Sequence, residues 1–315
     1  MGAMDSLNAR LKVGEVVIMD GGTGTEIQRR GVPVSQENWS GLPMTHNPDL
    51  IREIHEDYIK AGAEIIITNT FSTGRWMLKK VGLEDRTVEI NRLGVKLALE
   101  ARANAALDSP VIVAGSMSTY SPWSDPTVIP SYEAALTDYR EQAKALAEAG
   151  VDLIVVEMLV RTLDTRTSVK AAVETGLPVW VGYSVVREGE KLYLGLHRKH
   201  GGEGIREAVD AVASMGVSAM FIMHTSPEDT GPGLLELKEC TSLPIGAYAH
   251  SMGFKTEEQN PDEIVFGPYT PEGYLEYARG WVEMGAVVIG GCCRTTPEHI
   301  RALKERLPER VPTRG

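Results

Sequence analysis

Short apolar runs alternate along the whole chain with longer segments in which apolar residues recur at helical spacing. The runs are rich in valine and isoleucine, which is typical of buried strands in a parallel sheet. We count eight of them, at residues 16–20, 64–69, 111–116, 153–158, 179–185, 219–224, 244–250 and 286–293. Eight strand and helix units predict a single α/β domain, residues 1–315, folded as a (β/α)₈ TIM barrel.

Helix boundaries agree with this division of the chain. Asn47-Pro48 and Thr270-Pro271 each place an N-cap residue before a proline at the first helical position, and Ser131 is a third N-cap. Gly62 ends the first of these helices. Residues 1–10 precede the first strand and are predicted to be a tag remnant and an N-terminal arm.

Many of the predicted strands end in a polar residue that core packing does not require. These residues are Asp20, Asn69, Ser116, Glu157, Ser184, His224, His250 and Cys292. Polar residues mark strand ends in general, so one or two of them would mean little. In a barrel, however, the C-terminal ends of the strands converge on one face, where active sites lie. Eight together predict a functional site at that face.

The composition argues against several classes of partner. The formal net charge is −11 and no lysine and arginine cluster lies on one predicted face, so neither nucleic acid nor an anionic membrane is expected to bind. No run approaches the roughly 18 to 20 apolar residues that cross a bilayer, and the first residues lack a signal-peptide pattern. The three cysteines fit a reducing cytoplasm better than secretion. A small molecule is the expected partner.

Two adjacent cysteines follow the last predicted strand, in the sequence GGCCRTTPEH at residues 290–299. A catalytic Zn²⁺ uses three protein ligands, commonly cysteine and histidine, and keeps a fourth position open. Cys292 and Cys293 supply two ligands, and the flanking glycines let both sulfurs face one point. His224, at the end of the sixth strand, is the predicted third ligand, with His250 as its competitor. An inert buried pair and an oxidisable pair are the alternatives.

Two further motifs suggest how a small substrate is held. The turn after the first strand reads DGGTGTE at residues 20–26, and its backbone N–H groups are predicted to bind an anion such as a carboxylate. It is not a dinucleotide fingerprint, because Ile27 occupies the third glycine position. Glu157 ends an apolar strand, where a cationic ligand group such as an α-ammonium explains a buried carboxylate better than a structural salt bridge does.

These motifs together resemble the homocysteine S-methyltransferase family. The most specific likeness is residues 290–300, which read like the C-terminal zinc motif of the family, and residues 20–25, 68–71 and 248–253 resemble other family segments in matching order. The resemblance covers nearly the whole chain. It implies a zinc-containing barrel in which the metal lowers the pKa of a thiol substrate and presents the thiolate to a methyl donor.

The resemblance also implies roles for individual residues. Cys292 and Cys293 are implied zinc ligands, and Asp20 and Glu157 are implied catalytic-site residues that meet the substrate ammonium. Gly21 and Gly22 are implied to hold the carboxylate, and Trp39 is implied to lie near the methyl donor. The further predicted substrate-binding residues are Thr23, Asn69, Ser116, Tyr248 and His250.

This chain departs from the family pattern at the third zinc ligand. His224 stands where the family has its first zinc cysteine. Two thiolates and a neutral imidazole leave a formal charge of zero on the Zn²⁺ site, whereas three thiolates leave −1. A bound thiol should therefore ionise more readily and its thiolate should be less nucleophilic. His250 is a second departure, in place of the usual asparagine.

The donor is expected to be a sulfonium rather than betaine. A betaine site surrounds the quaternary ammonium with aromatic rings. In this chain Met158 follows Glu157, and Thr73-Gly74-Arg75 comes shortly after Phe71, so these positions supply few rings and one cation. Arg75 is predicted either to pair with a donor carboxylate or to face solvent. The predicted loops 120–130 and 253–268 are assigned to the donor site or to a subunit contact in a homo-oligomer.

The sequence therefore predicts a zinc-dependent methyltransferase that moves a methyl group from a small sulfonium or ammonium donor to homocysteine, giving methionine. The favoured donors are S-methylmethionine, S-adenosylmethionine and dimethylsulfoniopropionate. A family relative with a changed thiol acceptor or a demethylase role is the first alternative, and a non-catalytic barrel that senses metal or oxidants is another. A Schiff-base lyase is disfavoured because no predicted strand ends in lysine.

Overall fold

A computed structural model of the chain describes residues 2–35, 38–106, 110–120, 130–196, 199–254, 264–266 and 269–312. The strands are β1 (Val17–Ile18), β2 (Ile65–Ile67), β3 (Ile112–Met117), β4 (Leu153–Leu159), β5 (Val179–Tyr183), β6 (Val185–Glu188), β7 (Lys191–Leu196), β8 (Lys199–His200), β9 (Ala219–Met223), β10 (Ile245–Tyr248), β11 (Met252–Phe254), β12 (Ile264–Phe266) and β13 (Val288–Ile289). The α-helices are α1 (Ala3–Lys12), α2 (Thr23–Arg29), α3 (Gly41–His46), α4 (Pro48–Lys60), α5 (Arg75–Lys79), α6 (Thr87–Ala105), α7 (Tyr132–Ala149), α8 (Thr162–Val173), α9 (Ile205–Val212), α10 (Pro227–Cys240), α11 (Pro271–Met284) and α12 (Pro297–Arg306).

Eight of these strands form a parallel sheet in the order β1-β13-β10-β9-β5-β4-β3-β2. A parallel bridge between Met19 and Ile65 joins its two outer strands and closes the barrel. Each of the eight predicted runs overlaps one barrel strand, and β3 and β4 each extend one residue beyond the predicted end. The predicted (β/α)₈ fold is confirmed, and the C-terminal strand ends lie on one face as the fold requires.

The strands read as continuous apolar runs because both of their faces are buried. Side chains such as Val17, Ile65 and Ile112 point into the barrel, while the alternate residues Ile18 and Ile66 pack against the surrounding helices. The predicted caps also form in part. Ser131 and Thr270 accept N-cap hydrogen bonds from Ala134 and Gly273, whereas the Asn47 side chain makes no cap bond.

The segment just before β1 and the C-terminal segment lie together at the N-terminal face of the barrel, opposite the strand ends that bear the polar residues. The segment for which the sequence predicts a tag remnant and an arm forms α1, whose Leu7 and Leu11 are buried against the barrel interior. The N–H of Val16 donates to the Glu309 carbonyl at 2.8 Å, and the N–H of Val311 donates to the Gly14 carbonyl at 2.8 Å. The C-terminal segment is thus paired with the chain just before β1.

The sequence does not predict two small sheets outside the barrel. The strands β6, β7 and β8 form an antiparallel sheet directly after β5, so the predicted run 179–185 spans the end of one sheet and the start of another. The strands β11 and β12 form an antiparallel pair after β10. Most of the predicted loops 120–130 and 253–268 lies outside the described residues. No helix in the described parts of the chain is long and apolar enough to cross a membrane.

Acid is expected to destabilise the fold through His55, which is buried on α4 with no hydrogen-bond partner for either ring nitrogen among the described residues. Burial lowers the pKa of His55 to about 4 from 6.5. Between these two pH values the unfolded chain binds a proton that the folded protein excludes, so stability falls as the pH falls. The full loss by pH 4 is about 3 kcal/mol.

Urea unfolding of the wild type and His55→Leu at pH 5 and pH 7.5 tests this expectation. The leucine variant should lose less free energy of unfolding between the two pH values, because leucine has no proton to bind. Equal losses in the two proteins would contradict the role given to His55.

Candidate functional site

Three predicted metal ligands meet at the C-terminal face of the barrel. Nδ1 of His224 lies 3.4 Å from Sγ of Cys292 and 3.7 Å from Sγ of Cys293, and the two sulfurs are 4.0 Å apart. Around a tetrahedral Zn²⁺, the N–S and S–S edges are about 3.6 and 3.8 Å, from Zn–N near 2.0–2.1 Å and Zn–S near 2.3 Å. The three atoms therefore already have the spacing of a Cys₂His zinc site. Among the described residues, no other group of histidine, cysteine and carboxylate side chains meets this criterion for a metal site.

The backbone of His224 is fixed on both sides. Its N–H donates to the Tyr248 carbonyl at 3.2 Å, and its own carbonyl accepts a hydrogen bond from the Ser184 hydroxyl at 3.1 Å. His224 has a φ of +44°, a left-handed conformation that is unusual for a residue other than glycine. The strand-end residue Ser184 thus holds the histidine loop rather than facing a substrate.

His250 lies beside the three ligands without joining them. Its ring centroid is 5.3 Å from that of His224, in an edge-to-face arrangement. Nδ1 of His250 accepts a hydrogen bond from the N–H of Met252 at 3.2 Å. The group of potential ligand atoms contains His224 but not His250, so the described side chains do not form the four-ligand site that a structural zinc would need.

The two thiols are hydrogen-bonded to each other. A hydrogen bond from Cys292 to Cys293, together with burial, raises the pKa of the Cys292 thiol. The same hydrogen bond and the nearby His224 lower the pKa of the Cys293 thiol. Both sulfurs would be deprotonated as ligands of a metal ion, since the thiolate is the form that binds metal. All three cysteines of the chain are free of disulfide bonds.

Glu157 is a buried carboxylate at the end of β4, and it forms part of the same face. The hydroxyl of Ser116 donates a hydrogen bond to its Oε2. Burial raises the pKa of Glu157 to about 7, although the hydroxyls of Ser116 and Tyr248 lower it in part. The predicted residues Glu157, Ser116 and Tyr248 are therefore brought together. No arginine or lysine pairs with Glu157 among the described ion pairs, so the structural salt-bridge explanation finds no partner there.

Asp20 is a second buried carboxylate at this face, at the end of β1. Its Oδ2 accepts a hydrogen bond from the N–H of Ile67 at 2.8 Å, while its Oδ1 is buried and has no hydrogen-bond partner among the described residues. Burial is the main cause that raises the pKa of Asp20, and the neighbouring Glu157 raises it further. Two adjacent buried carboxyl groups with unused acceptor capacity suit a ligand ammonium group.

The glycine turn after β1 packs closely against the cysteine loop. A Cβ on Gly22 would lie 2.4 Å from the Cys292 carbonyl oxygen, which explains the glycine. The N–H of Gly22 is not one of the free donors that the sequence predicts, because it donates to the carbonyl and hydroxyl oxygens of Thr295 at 3.3 and 3.2 Å. A Cβ on Gly21 would lie 2.9 Å from the Thr295 hydroxyl. Thr23 begins α2 just after this turn.

Asn69 positions the segment that contains Trp39. The Asn69 amide donates to the Ser40 carbonyl at 3.0 Å, and the Asn38 amide donates to the Ser72 carbonyl at 3.0 Å. A Cβ on Gly24 would lie 2.3 Å from Nε1 of Trp39, so the indole packs directly on the start of α2. The contact of Trp39 with a methyl donor stays a prediction, as does a direct contact between Asn69 and substrate.

Arg75 has partners within the protein. Its guanidinium makes two hydrogen bonds to the Glu141 carboxylate, at 2.8 and 2.7 Å, and lies 3.6 Å from Asp85. The predicted pairing with a donor carboxylate is not what the structure shows, because Glu141 from α7 occupies the guanidinium. This pair could not be predicted from the sequence, since the two residues are 66 positions apart.

Backbone strain is concentrated around the site. Outside glycine, the described residues with positive φ include Trp39, Met158, His224 and Arg294, and each either belongs to the proposed site or is adjacent in sequence to one of its residues. Such conformations cost free energy and persist where surrounding contacts enforce them. Sequence reasoning missed this feature because none of the four is glycine. It also missed Thr295 and Tyr58, whose partners are far away along the chain.

Known proteins of one family are similar in sequence to this chain over most of its length. A sequence model of the family described as homocysteine S-methyltransferase matches residues 17–307 of this chain. The homocysteine S-methyltransferase of Escherichia coli (strain K12) is 30% identical, and the alignment covers 97% of this chain and 100% of that protein. The selenocysteine methyltransferase of Astragalus bisulcatus is 29% identical over 93% of this chain and 92% of its own length.

The fold is also similar to a solved structure. The crystal structure of the homocysteine methyltransferase MmuM from Escherichia coli, in its metallated form, matches with a TM-score of 0.78 and 27% sequence identity. The match covers 96% of this chain and 99% of that chain.

Proposed function

Because the chain belongs to the homocysteine S-methyltransferase family and is a methyltransferase, we propose that it transfers a methyl group from a small sulfonium donor to homocysteine, giving methionine. The proposed metal is Zn²⁺, held by His224, Cys292 and Cys293. The observation that supports this most is the spacing of Nδ1 and the two sulfurs, which matches three corners of a tetrahedral zinc site. A Zn²⁺ ion bound there would lower the pKa of the acceptor thiol and keep it as a thiolate at neutral pH.

The residues of this chain bind and orient the acceptor. Asp20 and Glu157 offer their carboxylates to the α-ammonium group, and the Oδ1 atom that lacks a partner gains one when the ammonium binds. The hydroxyl of Ser116 donates to Glu157 and helps to hold its carboxylate in place. These contacts fix the amino-acid end of homocysteine so that its thiol can reach the open position of the proposed metal site.

The methyl group then passes directly from donor to acceptor, and no residue of the protein is methylated. A sulfur lone pair of the acceptor forms the new S–C bond while the C–S bond of the sulfonium donor breaks, and the donor leaves as a neutral thioether. The thiol proton is released to solvent before attack. Orientation of the two sulfurs in line with the methyl carbon is the main contribution of the protein.

The surroundings of Glu157 favour a sulfonium over betaine. Met158, the next residue, is buried in the barrel-interior cluster and presents a thioether where an aromatic ring would be needed to enclose a quaternary ammonium. A neutral Cys₂His site also ionises the acceptor thiol readily but makes it a weaker nucleophile, which suits a reactive donor.

The free cysteines agree with a reducing compartment, so we place the enzyme in the cytoplasm.

A donor panel tests the proposal. The freshly purified, reduced protein should contain about one zinc per chain, as expected for a single catalytic site. With homocysteine it should form methionine from S-methylmethionine, S-adenosylmethionine or dimethylsulfoniopropionate and form less from betaine, as measured by mass spectrometry. His224→Cys should retain zinc and require a higher pH for full activity, because the added negative charge raises the pKa of the bound thiol. Absence of zinc and of methionine with every donor would refute the assignment.

A changed acceptor is the second candidate function. The relative from Astragalus bisulcatus, at 29% identity, is named a selenocysteine methyltransferase. Selenocysteine has the same α-amino and carboxylate groups, so Asp20 and Glu157 would serve it equally well. The same panel run with selenocysteine and cysteine in place of homocysteine separates the two candidates by their kcat/KM values.

A further inference from the structure

Two loops from neighbouring strands carry Asp20 and both cysteines, and the hydroxyl of Thr295 is one of the contacts between them. We call residues 20–25 the acceptor turn, because Asp20 lies in it, and residues 290–295 the metal loop, because it contains both cysteines. The turn follows β1 and the loop follows β13, and these strands pair in the barrel. The two loops therefore lie side by side at the same face.

The hydroxyl of Thr295 forms one hydrogen bond to each loop. It donates to the Cys292 carbonyl at 2.6 Å, within the metal loop, and accepts from the N–H of Gly22 at 3.2 Å, in the acceptor turn. The same N–H also donates to the Thr295 carbonyl, at 3.3 Å. The single hydroxyl proton and an acceptor lone pair are thus both used. Thr295 is 1% exposed, so water does not provide an easy replacement for either bond.

Close packing leaves the hydroxyl little freedom to move. A Cβ on Gly21 would lie 2.9 Å from Oγ1 of Thr295, and a Cβ on Gly291 would lie 2.1 Å from it. Glycines on both loops therefore make room for this one atom. Behind it, the hydroxyl of Tyr58 on α4 donates to the Thr295 carbonyl at 2.9 Å and fixes the threonine backbone.

We propose that Thr295 is a positioning residue that couples the metal loop to the acceptor turn, so that metal affinity and acceptor binding depend on the same hydroxyl. This inference rests on the proposed function, which assigns the metal to the cysteines and the acceptor ammonium to Asp20. Two further hydrogen bonds join the loops: the Gly291 N–H donates to the Asp20 carbonyl at 2.9 Å, and the Arg294 N–H donates to Oγ1 of Thr25 at 2.8 Å.

Thr295→Val and Thr295→Ser test the coupling in the full-length protein. Valine keeps the shape and loses both hydrogen bonds, whereas serine keeps the hydroxyl. Zinc affinity, measured by competition with a chromogenic chelator, should weaken about tenfold or more in the valine variant, the usual effect of removing an outer-shell partner of a metal site. The KM for homocysteine should rise roughly threefold to tenfold, as for one lost hydrogen bond. Thr295→Ser should restore both values.

A matched variant separates coupling from general loss of stability. Thr167 is a buried threonine on α8 whose hydroxyl donates to the Leu163 carbonyl within the same helix, so Thr167→Val should leave zinc affinity and KM unchanged. Should Thr295→Val fail to fold, Tyr58→Phe removes the hydrogen bond behind Thr295 and should weaken zinc binding in the same direction.

The outcomes are distinct. The coupling would be overturned if folded Thr295→Val had the zinc affinity and KM of the wild type. If the valine variant does not fold, wild-type zinc affinity in Tyr58→Phe would overturn it. Both results would leave the proposed function standing. A wild-type protein that binds no zinc and methylates no acceptor would overturn the proposed function and the coupling with it.

Discussion

Cys293→Ala is expected to abolish metal binding and methyl transfer together. The substitution removes one corner of the three-ligand arrangement and leaves His224 and Cys292, whose atoms are 3.4 Å apart, as an incomplete pair. Removing an outer-shell partner of a metal site costs roughly 10–100-fold in affinity or activity, so loss of a direct ligand should exceed that range. Metal content by mass spectrometry after dialysis and methionine formation are the two measurements.

The third cysteine provides the matched control. Cys240 lies on α10, partly buried against the outer core and not among the three grouped ligands. Cys240→Ala should retain about one zinc per chain and nearly full activity. A Cys293→Ala protein that keeps its zinc and turns over normally would exclude the proposed metal site.

Glu157→Gln is expected to have the second largest effect, which is a lower kcat/KM for homocysteine. Glutamine keeps the size of the side chain but removes the charge that faces the α-ammonium. Loss of one partner from a buried charge pair costs about 2–5 kcal/mol, which is roughly 30-fold or more in kcat/KM for homocysteine. The substrate-free variant should be more stable than wild type at pH 8, because the raised pKa of Glu157 means that its buried charge opposes folding there.

An acceptor without an amino group isolates the interaction. The thiol 4-mercaptobutanoate lacks the ammonium, so the wild type and Glu157→Gln should methylate it at similar low rates. Asp20→Asn should behave in the same way because its carboxylate meets the same ammonium. If Glu157→Gln were as impaired with 4-mercaptobutanoate as with homocysteine, Glu157 would act on something other than the ammonium.

The barrel could be predicted because its strands carry a local signal. Buried parallel strands are apolar on both faces, so runs such as 111–116 and 153–158 stand out without any knowledge of their partners. The β6–β8 sheet was missed for the complementary reason. The strand β7 (Lys191–Leu196) mixes exposed and buried positions and follows a two-residue turn, a pattern that resembles an ordinary surface loop.

The site could be predicted where one residue type implies one chemistry. Adjacent cysteines imply a metal, a histidine at a strand end implies a ligand, and a carboxylate at the end of an apolar strand implies a cation. Contacts between distant segments could not be predicted. The pairing of Arg75 with Glu141, and the occupation of the Gly22 N–H by Thr295, each join residues that only the closed barrel brings together.

The pairing of the segment before β1 with residues 309–311 determines how the protein can be joined to other molecules. The segment before β1 pairs with residues 309–311 at the N-terminal face, while the metal ligands lie at the opposite face. A fluorescent protein or a surface tether fused through a linker at either end would thus extend away from the mouth of the barrel. Attachment at residues 309–311 should therefore leave the face that carries His224, Cys292 and Cys293 directed outward.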